Sequence, residues 1–407
     1  MKAGAIVRSR VLALGAACLV GGTICFSVFA QNVGGDIGGG IFRPKNPETK
    51  KHAGKPVKPI TKPSRRPPPN TGVADRVEEL LDKGNDARDA KKYSEAQGAY
   101  EGVLKLKPRD PRAAYGLGNV FTDQRRWEDA EKAYSDAVEW GPTNVDALVA
   151  LSVVLVQPRT GANNAKRFAD AEGFAQRAVK LDPKNAVAWD RLGVALQSRG
   201  VFNHDTEHAY RRAVELDPQF AAAYAHLAWA LRRMGRGNEA APLYDHAIEL
   251  AKDPATLVLI AESLQSEQQW DKSESVLRRA LQLDARSPGA LYLLGRALIV
   301  LKRHQEAEGY LKSAIELSPQ GFQPYALLGQ AYLALGRFDD AEKTYNSAVD
   351  VASPAERKQI AGAFGFEGVG DGYVKSKRRT DAARVYQRAL DLDPGNPQLA
   401  KKLSQVR

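Results

Sequence analysis

The sequence predicts an all-α fold: a solenoid of about nine helical hairpins, closed by a C-terminal capping helix. Three observations predict it. Apolar residues recur at helical spacing on two successive faces, a glycine or proline stop follows the second face, and the pattern returns about every 34 residues. The stretch from Pro111 to Asn144 shows all three. Ala114, Leu117, Gly118 and Phe121 fall at i, i+3, i+4 and i+7, one apolar face of a helix. Ala130, Tyr134 and Ala137 form the face of a second helix. Gly141-Pro142 ends it, because proline cannot continue a helix and glycine tolerates left-handed dihedrals. Asp123 to Trp127 lies between the two faces and is polar enough to turn the chain. Gly118 and Ala130 are small where the helices must cross, and Phe121 and Tyr134 fill the space around them.

Copies of this unit begin at Val77, Pro111, Val145, Ala186, Ala221, Pro254, Pro288, Phe322 and Ala363. The crossing pair recurs as Gly84 with Ala96, Ala228 with Ala240, Gly295 with Ala307 and Gly329 with Ala341. The second-helix aromatic recurs as Tyr100, Tyr210, Tyr244, Tyr345 and Tyr386. A terminating proline recurs as Pro108, Pro183, Pro218, Pro319 and Pro394. These residues resemble the signature of the tetratricopeptide repeat family. The resemblance implies a right-handed α-α superhelix over residues 74–407, with residues 397–407 as a cap whose outer face is polar. Units three and nine are longer, so the residues around Pro158 to Arg167 and Glu356 to Gly362 are expected as inserted loops or an extended helix. The glycines between Gly362 and Gly372 predict a weak first helix in unit nine.

The first 30 residues read as an export signal. Lys2, Arg8 and Arg10 precede an uncharged, mostly apolar run, and Val28-Phe29-Ala30 offers a small-residue cleavage site. An uncleaved anchor is the alternative, since no charge appears from Val11 to Gly35. The sequence around Cys18 and Cys25 is a poor match to a lipidation leader. Cleavage would leave a mature chain without cysteine, which suits an oxidising compartment. Residues 31–73 form a Gly/Pro-rich basic arm, with eight prolines and nine Lys/Arg between Arg43 and Pro69. So little of it is apolar that a disordered, extended tether is expected. The net charge of +11 belongs almost wholly to residues 1–70, where 12 Lys/Arg face Asp36 and Glu48. The repeats are near neutral, which argues against a nucleic-acid binder. The arm is a spacer, with contact to an anionic envelope polymer or membrane surface as its sharper reading.

The motif His204-Asp205-Thr206-Glu207-His208 matches a zinc-peptidase pattern. In the repeat register, however, Thr206 takes the place of Ala130, which leaves His204 in a turn and puts Asp205 and Glu207 at a helix start that favours acids. The sequence carries no cysteine nucleophile, nucleophile elbow or phosphate loop. No cofactor, no metal and no enzymatic activity are expected.

Function is then sought on the surface. The resemblance implies that first helices line a concave groove. Carried over residue by residue, it offers Asn85, Arg88, Tyr115 and Asn119 in units one and two, and Asp190 and Arg191 in unit four. Unit five offers His226, Trp229, Arg232 and Arg233, followed by Glu262, Gln265, Tyr292, Arg296 and Gln330. The family's two-carboxylate clamp for chaperone tails needs residues that Leu81, Gly116, Asp146 and Ala150 do not supply. Trp229, Arg232, Arg233, Tyr292 and Arg296 combine aromatic area with fork-shaped cations, and this predicts a site for an acidic partner segment. Asn85 and Asn119 are expected to hydrogen-bond the partner's backbone. The expected function is an exported protein-binding scaffold. The alternative is a specificity or regulatory subunit of an envelope glycosyltransferase or peptidoglycan-modifying complex. A wall-polymer binder is disfavoured because the groove shows one tryptophan and no aromatic ladder.

Overall fold

The computed structural model describes residues 44–49, 72–157, 159 and 162–407. The export signal and most of the basic arm lie outside the described residues. Two compact bodies are resolved, with the boundary after Ala247. In the first, hairpins pair Val73–Asp89 with Tyr93–Leu106, Pro111–Asp123 with Trp127–Trp140, Val145–Leu155 with Asn164–Leu181, and Ala186–Ser198 with His204–Leu216. Unit five follows with Ala221–Arg233 and Gly237–Leu250, whose last residues fall beyond the boundary. In the second body, Pro254–Ser266 pairs with Trp270–Leu283, Pro288–Val300 with His304–Leu317, Phe322–Ala334 with Phe338–Val351, and Phe366–Lys375 with Arg379–Leu392. Pro397–Val406 closes the array. Among the described residues there is no strand, and no helix is long and apolar enough to cross a membrane.

Side-chain caps start several of the helices. Asp110, Asn144, Asn185, Asp253 and Ser287 accept from a backbone N–H in the first turn of the first helices they precede, which satisfies a donor that the helix leaves unpaired. The turn between the two helices takes a left-handed residue at the same register position in eight units. These are Lys91, Arg125, Gly200, Gly235, Gln268, Lys302, Gly336 and Lys377. A non-glycine residue pays roughly 1–2 kcal/mol for that conformation, partly offset by glycine's larger entropy loss on folding. Lys302, at φ 60°, is one such position. Lys302→Gly should therefore stabilise the protein by about 0.5 kcal/mol, read as a raised urea midpoint; a lowered midpoint would contradict this.

Packing explains the small residues of the first helices. A Cβ built on Gly118 would lie 2.4 Å from the Tyr134 ring, and one on Gly84 would lie 2.6 Å from Tyr100. The glycine is a socket for the second-helix tyrosine of its own hairpin. Neighbouring units share these rings, since Tyr100 also lies against Gly116 of the next first helix. Thr206 replaces the usual alanine and is fully buried, with its hydroxyl donating to the Val201 carbonyl at 2.8 Å.

The two long units resolve differently. In unit three the second helix is extended to 18 residues. Arg159 turns back to pair with Glu128 and Glu131, and Arg167 also pairs with Glu131. In unit nine the extra residues make a separate helix, Pro354–Ala361, started by a capping box between Ser353 and Glu356. The glycines that follow serve close approach. A Cβ at Gly365 would sit 1.8 Å from the Ile360 carbonyl oxygen, and Gly370 receives the Tyr386 ring.

Candidate functional site

The face that carries the most developed geometry belongs to the first helices of units one and two. Tyr100 and Tyr134 are fully buried, and burial pushes both phenols above their ordinary value, so each remains a proton donor. Tyr100 donates to Asn85 Oδ1 at 2.7 Å and Tyr134 to Asn119 Oδ1 at 2.9 Å. An amide whose oxygen accepts from the core presents its NH₂ group the other way. The tyrosine that fills each glycine socket thus also aims the asparagine.

Six residues of the basic arm, Pro44 to Thr49, lie on this face. Asn85 Nδ2 donates to the Pro47 carbonyl at 3.0 Å, and Asn119 Nδ2 donates to the Lys45 carbonyl at 2.8 Å. Arg88 is only 1% exposed and lies between them. Its Nη1 donates to the Pro44 carbonyl at 2.7 Å and to Asn46 Oδ1 at 3.1 Å. Its remaining donors grip the Asp123 carboxylate at 2.8 and 3.2 Å. Burial works against the Arg88 charge, but Asp123 more than offsets it and holds the guanidinium above its ordinary value. Asn46 Nδ2 donates to Asp89 Oδ2 at 2.9 Å. Pro44 and Pro47 are buried, whereas Lys45 and Glu48 are exposed. Burial pushes the Asp146 carboxyl of unit three above its ordinary value; the field of Lys45 opposes the rise and that of Glu48 adds to it.

The other residues expected in the groove fall into separate settings. His226 is 7% exposed, and its Nδ1 lies 2.7 Å from Oδ1 of the fully buried Asp190, whose other oxygen is 3.0 Å from Arg191. Burial would raise the Asp190 carboxyl, but His226 and Arg191 together hold it below the usual range. His226 is thereby committed to the interior. Trp229 is half-buried and packs on Phe202 with ring centroids 5.3 Å apart. Arg233 lies over both rings, at 5.4 and 5.8 Å, and Arg232 is exposed. In the second body, Arg296 lies 5.9 Å over the Tyr292 ring and donates to Gln265 Oε1 at 2.6 Å. Burial pushes the Tyr292 phenol above its ordinary value. Trp229, Arg232 and Arg233 form one cluster, and Tyr292 with Arg296 forms another in a different body.

His204 and His208 stack at 6.1 Å, and Trp189 meets His208 edge-on. Glu207, which would be the acid of the zinc pattern, instead pairs with Arg211 and Arg236, and these hydrogen bonds outweigh burial to hold its carboxyl low. Among the described residues there is no cluster of three or more potential metal ligands.

These paired helices define a helical-hairpin repeat protein. Family models described as tetratricopeptide repeat match residues 81–145, 203–255 and 301–356, and one described as anaphase-promoting complex, cyclosome, subunit 3 matches residues 234–314. The chain is a tetratricopeptide repeat protein, and repeats of this kind make it a scaffold for protein–protein interaction. No curated protein matches it. Among solved structures it is similar to MamA of Desulfovibrio magneticus, at 19% identity over 44% of this chain and 97% of that one, with a TM-score of 0.38. A thermophilic TPR protein of Thermus thermophilus is similar at 23% identity, over 46% of this chain and 99% of that one, with a TM-score of 0.39. A chain of the APC/C hetero-tetramer Cut9-Hcn1 is similar at 14% identity, over 82% of this chain and 86% of that one, with a TM-score of 0.40.

Proposed function

We propose that this protein is an exported, non-enzymatic scaffold whose first-helix faces hold extended segments of partner proteins. One observation carries the reading: Arg88, Asn119 and Asn85 hold the main-chain carbonyls of Pro44, Lys45 and Pro47. Donors fixed by core tyrosines and by Asp123, and aimed at carbonyls, recognise a backbone, which every extended segment carries. Because Tyr100, Tyr134 and Asp123 of the fold hold these donors, binding does not have to order the scaffold. Export rests on the basic start, the apolar run and the small-residue cleavage site of residues 1–30.

Unit five supplies a second contact region of different character. Trp229, Phe202 and Arg233 form an aromatic-cation patch with Arg232 exposed beside it, a composition that suits a segment bearing carboxylates. The test is a pulldown from envelope extract with the full chain and with Trp229→Ala/Arg232→Glu. The expected result is loss of acidic partners from the variant, while unaltered partner sets would overturn the role of this patch.

A further inference from the structure

The seat on units one and two already holds a segment, and that segment belongs to the chain itself. Its recognition is more specific than backbone capture. Asn46 is read at both ends of its amide, by Arg88 at Oδ1 and by Asp89 at Nδ2. Pro44 and Pro47 are the residues that the face buries, and a proline can be buried without leaving an N–H donor unpaired. Asn46 precedes Pro47, and a residue before proline is biased to the extended conformation. The carbonyls at 44, 45 and 47 then meet three donors whose own positions are set by Asp123, Tyr134 and Tyr100. Arg112 Nη1 adds a long contact of 3.4 Å to the Glu48 carbonyl while it is held by Glu78.

We propose that this seat is a site for extended Pro-x-Asn-Pro segments, that the chain's Pro44–Thr49 closes it in cis, and that a partner enters by presenting the same chemistry in its place. The proposal rests on the reading of first-helix faces as segment-binding surfaces, and it adds both the class of segment and its regulation. Residues 50–71 tether the occupant, and a tether of this length gives an effective concentration on the order of millimolar. A free peptide at micromolar concentration therefore competes poorly, so the seat opens only to a partner that binds better than the arm or that draws the arm away. The arm's basic residues beyond Thr49 make such withdrawal by an anionic surface chemically consistent.

The test uses a fluorescent peptide of sequence RPKNPETK and the full chain, either unaltered or carrying Asn46→Ala/Pro47→Ala in its own arm. The arm variant changes neither helix nor core, so its folding is not at issue. Peptide affinity should rise roughly tenfold in the variant, as loss of a tethered competitor requires. Adding Asn119→Ala to the variant should abolish the gain. Equal peptide affinity for both chains, or no binding to either, would overturn the proposal. So would sedimentation showing the unaltered chain to dimerise through exchange of its arms, since the occupant would then act in trans. The unit-five pulldown reads other residues, so failure of the peptide test with a positive pulldown removes the seat alone and leaves the scaffold reading standing.

Discussion

Gly118→Leu should lower stability by about 3 kcal/mol and release the arm at the same time. The expected cost is at the upper end for inserting methylenes into a packed core, because the side chain would begin 2.4 Å from the Tyr134 ring. Tyr134 is fully buried and cannot move without losing its hydrogen bonds to Thr122 and Asn119. A leucine would displace the ring, and the displaced ring would no longer aim the Asn119 amide at Lys45. A double-mutant cycle isolates the cause. Tyr134→Ala alone should cost about 3–5 kcal/mol through the cavity it leaves. In Gly118→Leu/Tyr134→Ala the combined cost should fall well short of the sum, since each change relieves the other. Strict additivity in urea unfolding would show that the two residues do not share one space. The damage should stay local, because each unit of a repeat array leans only on its neighbours.

Arg88→Ala is expected to cost about 3 kcal/mol, the lower end of what breaking a buried ion pair costs. Arg88 is 1% exposed, whereas the Asp123 side chain is 12% exposed and keeps some access to water. The substitution strands the Asp123 carboxylate, the Pro44 carbonyl and Asn46 Oδ1 together. Arg88→Lys should not restore the arm contact, since an ammonium cannot span the carboxylate and the carbonyl as the planar fork does. Differential unfolding reads the first effect, and susceptibility of residues 44–49 to proteolysis reads the second. Wild-type resistance in Arg88→Ala would refute the assigned role.

The repeat register was legible in the sequence for a physical reason. A hairpin cannot bury its apolar stripe alone, so the units repeat one spacing of small and apolar residues, with a tyrosine on the second helix in six of the nine. The structure returns that register at positions the pattern did not mark: in eight hairpins, from Lys91 to Lys377, the left-handed residue of the turn between the two helices stands fifteenth in its unit. Identity hid five of the eight, because Lys, Arg and Gln carry no turn signal comparable to the glycines at positions 200, 235 and 336. Asn85 and Asn119 were expected to hydrogen-bond a partner's backbone; that the arm supplies carbonyls to both was not legible. The contacts join residues 38 to 74 positions apart, and Pro44 to Thr49 has neither helical nor strand periodicity to mark it as packed. Arg88 was visible as a groove position, yet nothing local shows that Asp123, 35 residues away, would let its charge be buried. His226 erred in the other direction. Its register places it on the first-helix face, but Asp190 one unit earlier draws it inward.

The central claim is that the face of units one and two seats the chain's own Pro44–Thr49 in cis. Paramagnetic relaxation tests it most directly. With a nitroxide on Thr49→Cys in a chain whose Cys18 and Cys25 are replaced by serine, the side-chain amide signals of Asn85 and Asn119 should broaden, equally at low and high protein concentration. They should recover in Arg88→Ala. Sharp amide signals in the labelled chain with Arg88 intact, or broadening that fades on dilution, would contradict the claim.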